Sequence, residues 1–316
     1  MQYRTLGRSD LRVSPLCLGG NVFGWTASES ASFAVLDAMV AAGLNFIDTA
    51  DIYSRWVPGH HGGESETLIG NWLKRGARRS EVVIATKVGM EMSADRKGLS
   101  AAHITRSVDE SLRRLQTDYI DLYFSHCDDE SVPLEETLDA YQQLIRRGKV
   151  RAIGASNYTA PRLSEALRIS RNAGLPRYEV LQPEYNLYTR SSYESALEPL
   201  CREQQVGVVS YFALASGFLS GKYRQAEDAQ KSARGTGIID KYLNQRGFRI
   251  LAALDEVARR RHATPASVAL AWQIAQPGIT APIASATTVA QLTELVAATQ
   301  LVLDAADLQQ LNAASA

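Results

Sequence analysis

Four side chains suit proton transfer to a carbonyl oxygen: Asp48, Tyr53, Lys87 and His126. A phenol titrates near 10, too weakly acidic to donate readily at neutral pH. A neighbouring ammonium stabilises the phenolate and is expected to lower the Tyr53 pKa. A carboxylate beside Lys87 keeps that ammonium charged and oriented. A histidine can hydrogen-bond the carbonyl oxygen and position the substrate. The set lacks a hydride donor, which a cofactor would supply. The carboxamides of Asn157 and Gln182 with the Ser156 hydroxyl suit a nicotinamide amide, and Tyr211 offers a ring to stack on it. Other chemistries fare worse. His126-Cys127-Asp128-Asp129 has no second His-x-x-His or Cys-x-x-Cys to complete a metal site, so no metal is expected. Cys127 reads as a small apolar filler, and His60-His61 as a surface pair in a glycine-rich loop.

These residues need elements to bring them together. Short apolar runs predict strands at Leu16–Gly19, Asn45–Asp48, Val82–Lys87, Tyr119–Phe124, Arg151–Gly154, Tyr178–Gln182, Gly207–Tyr211 and Thr280–Ile283. The runs are continuous rather than alternating, as in strands covered on both faces of a parallel sheet. Helical patterns lie between them at Ser28–Ala42, Ser100–Leu115, Pro133–Arg147, Ala160–Ala173, Tyr193–Gln205 and Gln245–Arg261. Ser28 reads as an N-cap, and Pro133 takes a first-turn position. Eight βα units predict an α/β fold, a (β/α)₈ TIM barrel forming a single domain over residues 1–316, with an open doubly wound sheet as runner-up. A hairpin of Tyr3–Thr5 with Arg12–Ser14 would cap the barrel's bottom. The stretch Ala213–Asp240, after strand seven, is too long for a plain connection and reads as functional. In such a barrel the site lies at the C-terminal strand ends, where the residues above fall.

The standard nucleotide fingerprints are missing. Gly19-Gly20-Asn21-Val22-Phe23-Gly24 has the wrong spacing for a dinucleotide-binding turn. Gly235-Thr236-Gly237 lacks its third glycine and follows no strand. Gly217–Tyr223 is one residue short of a P-loop.

Composition narrows the partners. The 316 residues carry 34 basic and 34 acidic side chains, so no nucleic-acid or polybasic membrane partner is expected. Three cysteines, far apart, imply no disulfide framework. No signal-peptide pattern and no long apolar run occur, which predicts a cytoplasmic protein that does not span a membrane. All 34 Lys and Arg lie before His262; the remainder holds only the acids Glu294, Asp304 and Asp307.

The chain resembles the aldo-keto reductases over nearly its whole length. Asn45-Phe46-Ile47-Asp48-Thr49-Ala50 with Tyr53, Ile84-Ala85-Thr86-Lys87 and Ser111-Leu112-Arg113-Arg114-Leu115 carry the likeness. Asp118–Tyr123, His126, Gly154–Tyr158 and Gln182–Asn186 continue it in family order. The resemblance implies NAD(P)H-dependent carbonyl reduction of small molecules, reversible as alcohol oxidation. It assigns Tyr53 as general acid/base, Asp48 and Lys87 as its tuning pair, and His126 as the carbonyl's orienter. It further implies cofactor contacts at Gly20, Asn21, Ser156, Asn157, Gln182, Tyr211, Phe212, Leu214, Lys222, Ser285, Thr287, Gln291 and Glu294. Phe212–Lys222 resembles the loop that folds over the pyrophosphate in the microbial, shorter-looped branch. Trp25, Trp56, Phe212 and Tyr242 are candidates for the substrate-pocket wall.

One stretch departs from the family. Many members grip the 2′-phosphate with a cation where this chain has Thr287, and the usual Asn is Leu295. Lys222 or Arg224 could reach the phosphate from the loop instead, and Glu294 could contact the adenine. NADP(H) is placed slightly ahead of NAD(H). The competing functions are an NAD-dependent dehydrogenase of a sugar- or pyridoxal-type alcohol, and a cofactor-binding regulatory subunit. The complete tetrad and the lack of an extra N-terminal segment rank the regulatory reading lower.

Overall fold

The computed structural model describes residues 1–76 and 79–316. An antiparallel pair, β1 (Arg4–Thr5) and β2 (Arg12–Val13), opens the chain. Eight strands follow: β3 (Cys17–Gly19), β4 (Phe46–Asp48), β5 (Val83–Val88), β6 (Ile120–Ser125), β7 (Val150–Ser156), β8 (Tyr178–Gln182), β9 (Gly207–Ser210) and β10 (Ile279–Ala284). Each pairs in parallel with the next, and β10 closes onto β3, giving the expected (β/α)₈ barrel.

The helices around it are α1 (Glu29–Ala41), α2 (Glu64–Lys74), α3 (Ala101–Leu115), α4 (Leu134–Arg146), α5 (Ala160–Ala173), α6 (Ser191–Glu194), α7 (Leu197–Gln204), α8 (Gly235–Tyr242), α9 (Gln245–Arg261), α10 (Pro265–Ala275), α11 (Val289–Ala298) and α12 (Ala305–Ser315). Side-chain caps at Ser28, Ser100, Thr159, Asn244, Thr264, Thr288 and Asp304 satisfy first-turn N–H groups. The single helix expected over Tyr193–Gln205 is instead two, α6 and α7. Pro199 lacks an N–H and its ring would clash with the Ser195 carbonyl, so the helix breaks at Ala196 (φ −140°). The long segment after β9 is also structured, as 3₁₀ turns at Ala215–Ser220 and Ala226–Lys231 followed by α8.

Two cores result. One lies between the strands and the helices. The other fills the barrel with Cys17, Phe46, Val83, Ala85, Leu122, Phe124, Ala152, Val180, Val209, Ala281 and Ile283. Leu6, Leu11 and Val13, from the hairpin region, join this inner core, as a bottom plug would. Gly154 makes room for Phe124: a Cβ there would stand 2.4 Å from the ring.

The inner core sets the register of everything above it. Side chains in a strand alternate faces with period two. Phe46 is inside, so Asp48 is too. Val83 and Ala85 are inside, so Lys87 follows. Leu122 and Phe124 lead to His126, Ala152 to Ser156, Val180 to Gln182, Val209 to Tyr211, and Ile283 to Ser285. One alternation therefore brings seven sequence-distant polar residues to the C-terminal mouth.

Candidate functional site

Lys87 lies at the centre of the mouth and is fully buried. Its Nζ donates to Asp48 Oδ2 (2.7 Å), to the Tyr53 hydroxyl (2.7 Å) and to the Thr49 carbonyl (2.8 Å). All three ammonium protons are thereby used. The Tyr53 hydroxyl donates to Asp48 Oδ2 (2.9 Å), and Gln182 Nε2 donates to Asp48 Oδ1 (2.9 Å). The His126 ring stands edge-on to Tyr53, with centroids 6.2 Å apart. Tyr53 comes from the loop after β4, and His126 directly follows β6. The four residues singled out in the sequence thus share one cluster.

The electrostatics differ from the expectation in one respect. Burial and the Asp48 carboxylate raise the Tyr53 phenol well above its ordinary value. The expected net lowering by Lys87 is corrected: both groups are dehydrated, and the carboxylate facing the phenol outweighs the ammonium. Tyr53 therefore remains protonated at neutral pH. Burial lowers Lys87, against an upward pull from Asp48. Burial, then the Lys87 charge, holds His126 well below the usual histidine range, so its ring is neutral. Its buried Nδ1 has no partner among the described residues.

Ser156, Asn157 and Gln182 form a chain beside this cluster. Ser156 Oγ donates to the Gln182 carbonyl (2.9 Å), and Asn157 Nδ2 to Ser156 Oγ (3.2 Å) and the His126 carbonyl (2.9 Å). Asn157 adopts φ 58°, a left-handed conformation that asparagine tolerates. The Tyr211 hydroxyl donates to Asn157 Oδ1 (2.9 Å) and so fixes the ring beside the carboxamide.

The comparisons with known proteins meet this geometry. A model of the aldo/keto reductase family matches residues 15–316. The chain belongs to the aldo/keto reductase family. It is 36% identical to "Uncharacterized oxidoreductase YrpG" of Bacillus subtilis (strain 168), over 99% of this chain and 95% of that protein. It is 34% identical to "Protein tas" of Escherichia coli (strain K12), over 92% of this chain and 91% of that protein. It is also 34% identical to "Probable voltage-gated potassium channel subunit beta" of Oryza sativa subsp. japonica, over 93% of this chain and 90% of that protein.

Aldo/keto reductases work with nicotinamide cofactors, and the residues here fit such a group. The linked hydroxyl and carboxamides beside the Tyr211 ring match an amide-bearing aromatic. After β9 the backbone is right-handed at Leu214 (φ −103°, ψ 21°) and left-handed at Phe212, Ala215, Ser216 and Gly217. The Ala215 and Gly217 N–H groups close this turn on the Phe212 and Leu214 carbonyls, at 2.7 and 2.8 Å. Gly20 donates to the Asp48 carbonyl (2.7 Å), and a Cβ on it would stand 2.9 Å from Ser65 Oγ. Ser285 Oγ donates to Asn21 Oδ1 (2.6 Å), joining the mouths of β3 and β10.

The adenine end is less well provided. The Thr287 N–H and hydroxyl both donate to Gln291 Oε1, at 2.8 and 3.0 Å. Arg224 grips Asp255 with two hydrogen bonds of 2.8 and 2.7 Å, so its guanidinium is committed. Lys222 has no carboxylate partner among the described residues and lies 3.7 Å from where a Cβ of Gly217 would sit. Glu294 is exposed on α11.

At the substrate side, Trp25 meets Trp56 edge-on at 5.6 Å, and Trp56 meets Tyr53 at 6.1 Å. Trp56 and Phe212 stay substantially exposed, at 49% and 41%. Tyr242 departs from the expected wall: it is buried and stacks on Phe218 at 5.4 Å.

Three features had no sequence signal. Thr49 serves Lys87 through its carbonyl, which any residue type supplies. Glu66 is buried, accepts from Thr86 Oγ1 (2.6 Å) and pairs with Arg114 (2.6 Å), which is 48 residues away. Asp51 is buried with Oδ1 unpartnered among the described residues; burial and Glu66 raise its pKa to about 8.

Proposed function

We propose that this chain reduces aldehyde or ketone carbonyls of small molecules to alcohols, reversibly, with Tyr53 as general acid/base. The observation that carries the reading is the Lys87 ammonium donating to both the Tyr53 hydroxyl and Asp48, at 2.7 Å each. The nicotinamide cofactor supplies the hydride when bound. Tyr53 holds its proton at neutral pH and releases it to the carbonyl oxygen as negative charge develops there. Lys87 faces the phenolate left behind, and Asp48 balances Lys87, so no isolated charge forms in the buried site. His126, neutral, orients the carbonyl oxygen. In alcohol oxidation the same residues return the proton. Trp25 and Trp56 wall the substrate, while Ser156, Asn157, Gln182 and Tyr211 seat the nicotinamide.

For the cofactor's far end, NAD(H) binds at least as well as NADP(H). The Thr287 donors and Arg224 are paired within the protein, which weakens the case for placing NADP(H) first. Lys222, beside the turn at Gly217, is assigned to the pyrophosphate.

Tyr53→Phe tests the acid assignment. Turnover on an aldehyde panel is lost, while cofactor affinity, measured by fluorescence titration, changes less than threefold. Retained activity overturns the role of Tyr53. The channel-subunit name of a relative favours a second reading, a cofactor-bound regulatory protein. Tight cofactor retention with no turnover on any carbonyl would select it.

A further inference from the structure

The turn that carries Tyr53 holds a second acid. Asp51 lies between Asp48 and Tyr53 and is only 3% exposed. Its N–H points at the Lys87 carbonyl, 3.4 Å away, so it is tied to the strand that bears the ammonium. Gly62 closes over it: a Cβ there would stand 2.8 Å from the Asp51 carbonyl oxygen. The carboxyl is held inside, and its Oδ1 has no partner among the described residues.

The elements packed around Asp51 bring their own charges, and those charges are already paired. From β5 comes Lys87, matched by Asp48 at 2.7 Å. From α2 comes Glu66, matched by Arg114 of α3 at 2.6 Å. Glu110, also on α3, is matched by Arg96. From β6 comes Tyr123, whose buried hydroxyl is likewise without a partner among the described residues. Cys127, after β6, and Tyr141, on α4, feel the Asp51 charge more weakly. The cations Lys87 and Arg114 cancel the carboxylates Asp48 and Glu66, so Asp51 is the surplus acid of the cluster. Burial and Glu66 favour its neutral form and raise its pKa to about 8, while Arg114, the Ile52 N–H and Lys87 pull the other way.

We propose that Asp51 is a positioning residue for the proton transfer, neutral in the working enzyme so that Lys87 serves the Tyr53 phenolate alone. This rests on the reductase reading above and adds a control to the same site. Reduction moves the Tyr53 proton to the carbonyl oxygen and leaves a phenolate facing Lys87. An ionised Asp51 sets a second negative charge against the same ammonium, and the phenolate is then harder to form. Asp51 acts through Lys87 and not on the substrate. The enzyme with Asp51 ionised is therefore slower but still active.

The test follows the single-turnover rate of aldehyde reduction against pH, so that product release does not mask the proton step. The wild-type rate falls roughly 3- to 10-fold through about pH 8 and then levels off. Loss of an essential proton would give no plateau. Asp51→Asn changes less than about twofold over the same range, relative to its own value at low pH. Asp51→Glu, which keeps a carboxyl, restores the step. An Asp51→Asn profile parallel to that of wild type, at whatever level, marks a merely structural residue and overturns the proposal. A second readout needs no turnover. In protein labelled with carbon-13 at tyrosine Cζ, the Tyr53 resonance is assigned by its loss in Tyr53→Phe. It shifts through about pH 8 in wild type and stays still in Asp51→Asn. That result in a chain that reduces no carbonyl would uphold the coupling while sinking the reductase reading. A Tyr53 resonance indifferent to Asp51 would sink the proposal whatever the enzyme turns over.

Discussion

Asp48→Asn isolates what holds Lys87 charged inside the barrel. The pair is almost completely buried, with side-chain exposures of 0% for Lys87 and 2% for Asp48. Breaking such a pair by removing one charge costs about 3–5 kcal/mol, because the other is left without compensation. The ammonium would keep the Thr49 carbonyl and the Tyr53 hydroxyl, so the loss is not of every partner. It can also escape by losing its proton. Burial already lowers the Lys87 pKa, and Asp48 is the largest influence holding it up. Without Asp48 the folded pKa falls further below the unfolded value of about 10.4. Between those two pKa values the unfolded chain carries a proton that the folded one lacks, so stability rises with pH, by at most about 1.4 kcal/mol per unit. The wild type shows that rise over a narrower, more alkaline interval. Urea unfolding of both proteins at pH 6.5, 7.5 and 8.5 therefore gives a deficit of about 3–5 kcal/mol at the lowest pH that shrinks as pH increases. A deficit below about 1 kcal/mol, flat across the three pH values, refutes the dependence of Lys87 on Asp48.

Thr287→Arg supplies a cation at the adenine end; a charge-assisted bond of about 1.5–3 kcal/mol improves NADP(H) affinity roughly 10- to 100-fold, with NAD(H) little changed. Equal effects on both cofactors in fluorescence titration would place the 2′-phosphate elsewhere. Asp51 has a folded pKa raised to about 8, so the folded protein holds a proton there that the unfolded chain loses near pH 4, and stability falls as pH rises between the two. Asp51→Asn, which mimics the protonated form, flattens that fall; urea midpoints at pH 5 and pH 8 that keep the wild-type spacing would exclude it.

The sequence foretold what depends on local pattern. All eight barrel strands read as continuous apolar runs, and α1, α3, α4, α5 and α9 were found within a residue or two at their ends. The elements that went unread fail for physical reasons. α10 is apolar on nearly every face because neighbouring elements cover it, so no period marks it, although Thr264 caps it and Pro265 opens its first turn. α2 starts after Gly63 with no side-chain cap. At the site, residue types foretold the cluster of Asp48, Tyr53, Lys87 and His126, but not its field. Whether a phenol beside an ammonium moves up or down depends on which charge lies nearer and how dry the site is. Composition holds neither quantity.

The cation-free C-terminal stretch shows how charge balance relates to the site. Two of its three acids turn toward the protein itself: Asp307 is buried and bound by Arg260 (2.7 Å) and Arg261, and Asp304 pairs with Arg261. Those arginines end α9, so acids at the start of α12 meet cations at the C-terminal turn of α9, an arrangement both helix dipoles favour. The acids therefore lock the last helix to the barrel. Packing accounts for them completely, but it gives no reason for the absence of cations on α11, whose first turn lies close to Ser285 and Thr287. A 2′-phosphate arriving there would meet a helix end and exposed Glu294, with no side-chain cation from residues 262–316. The same stretch thus satisfies the fold with its acids and offers the site no side-chain Lys or Arg.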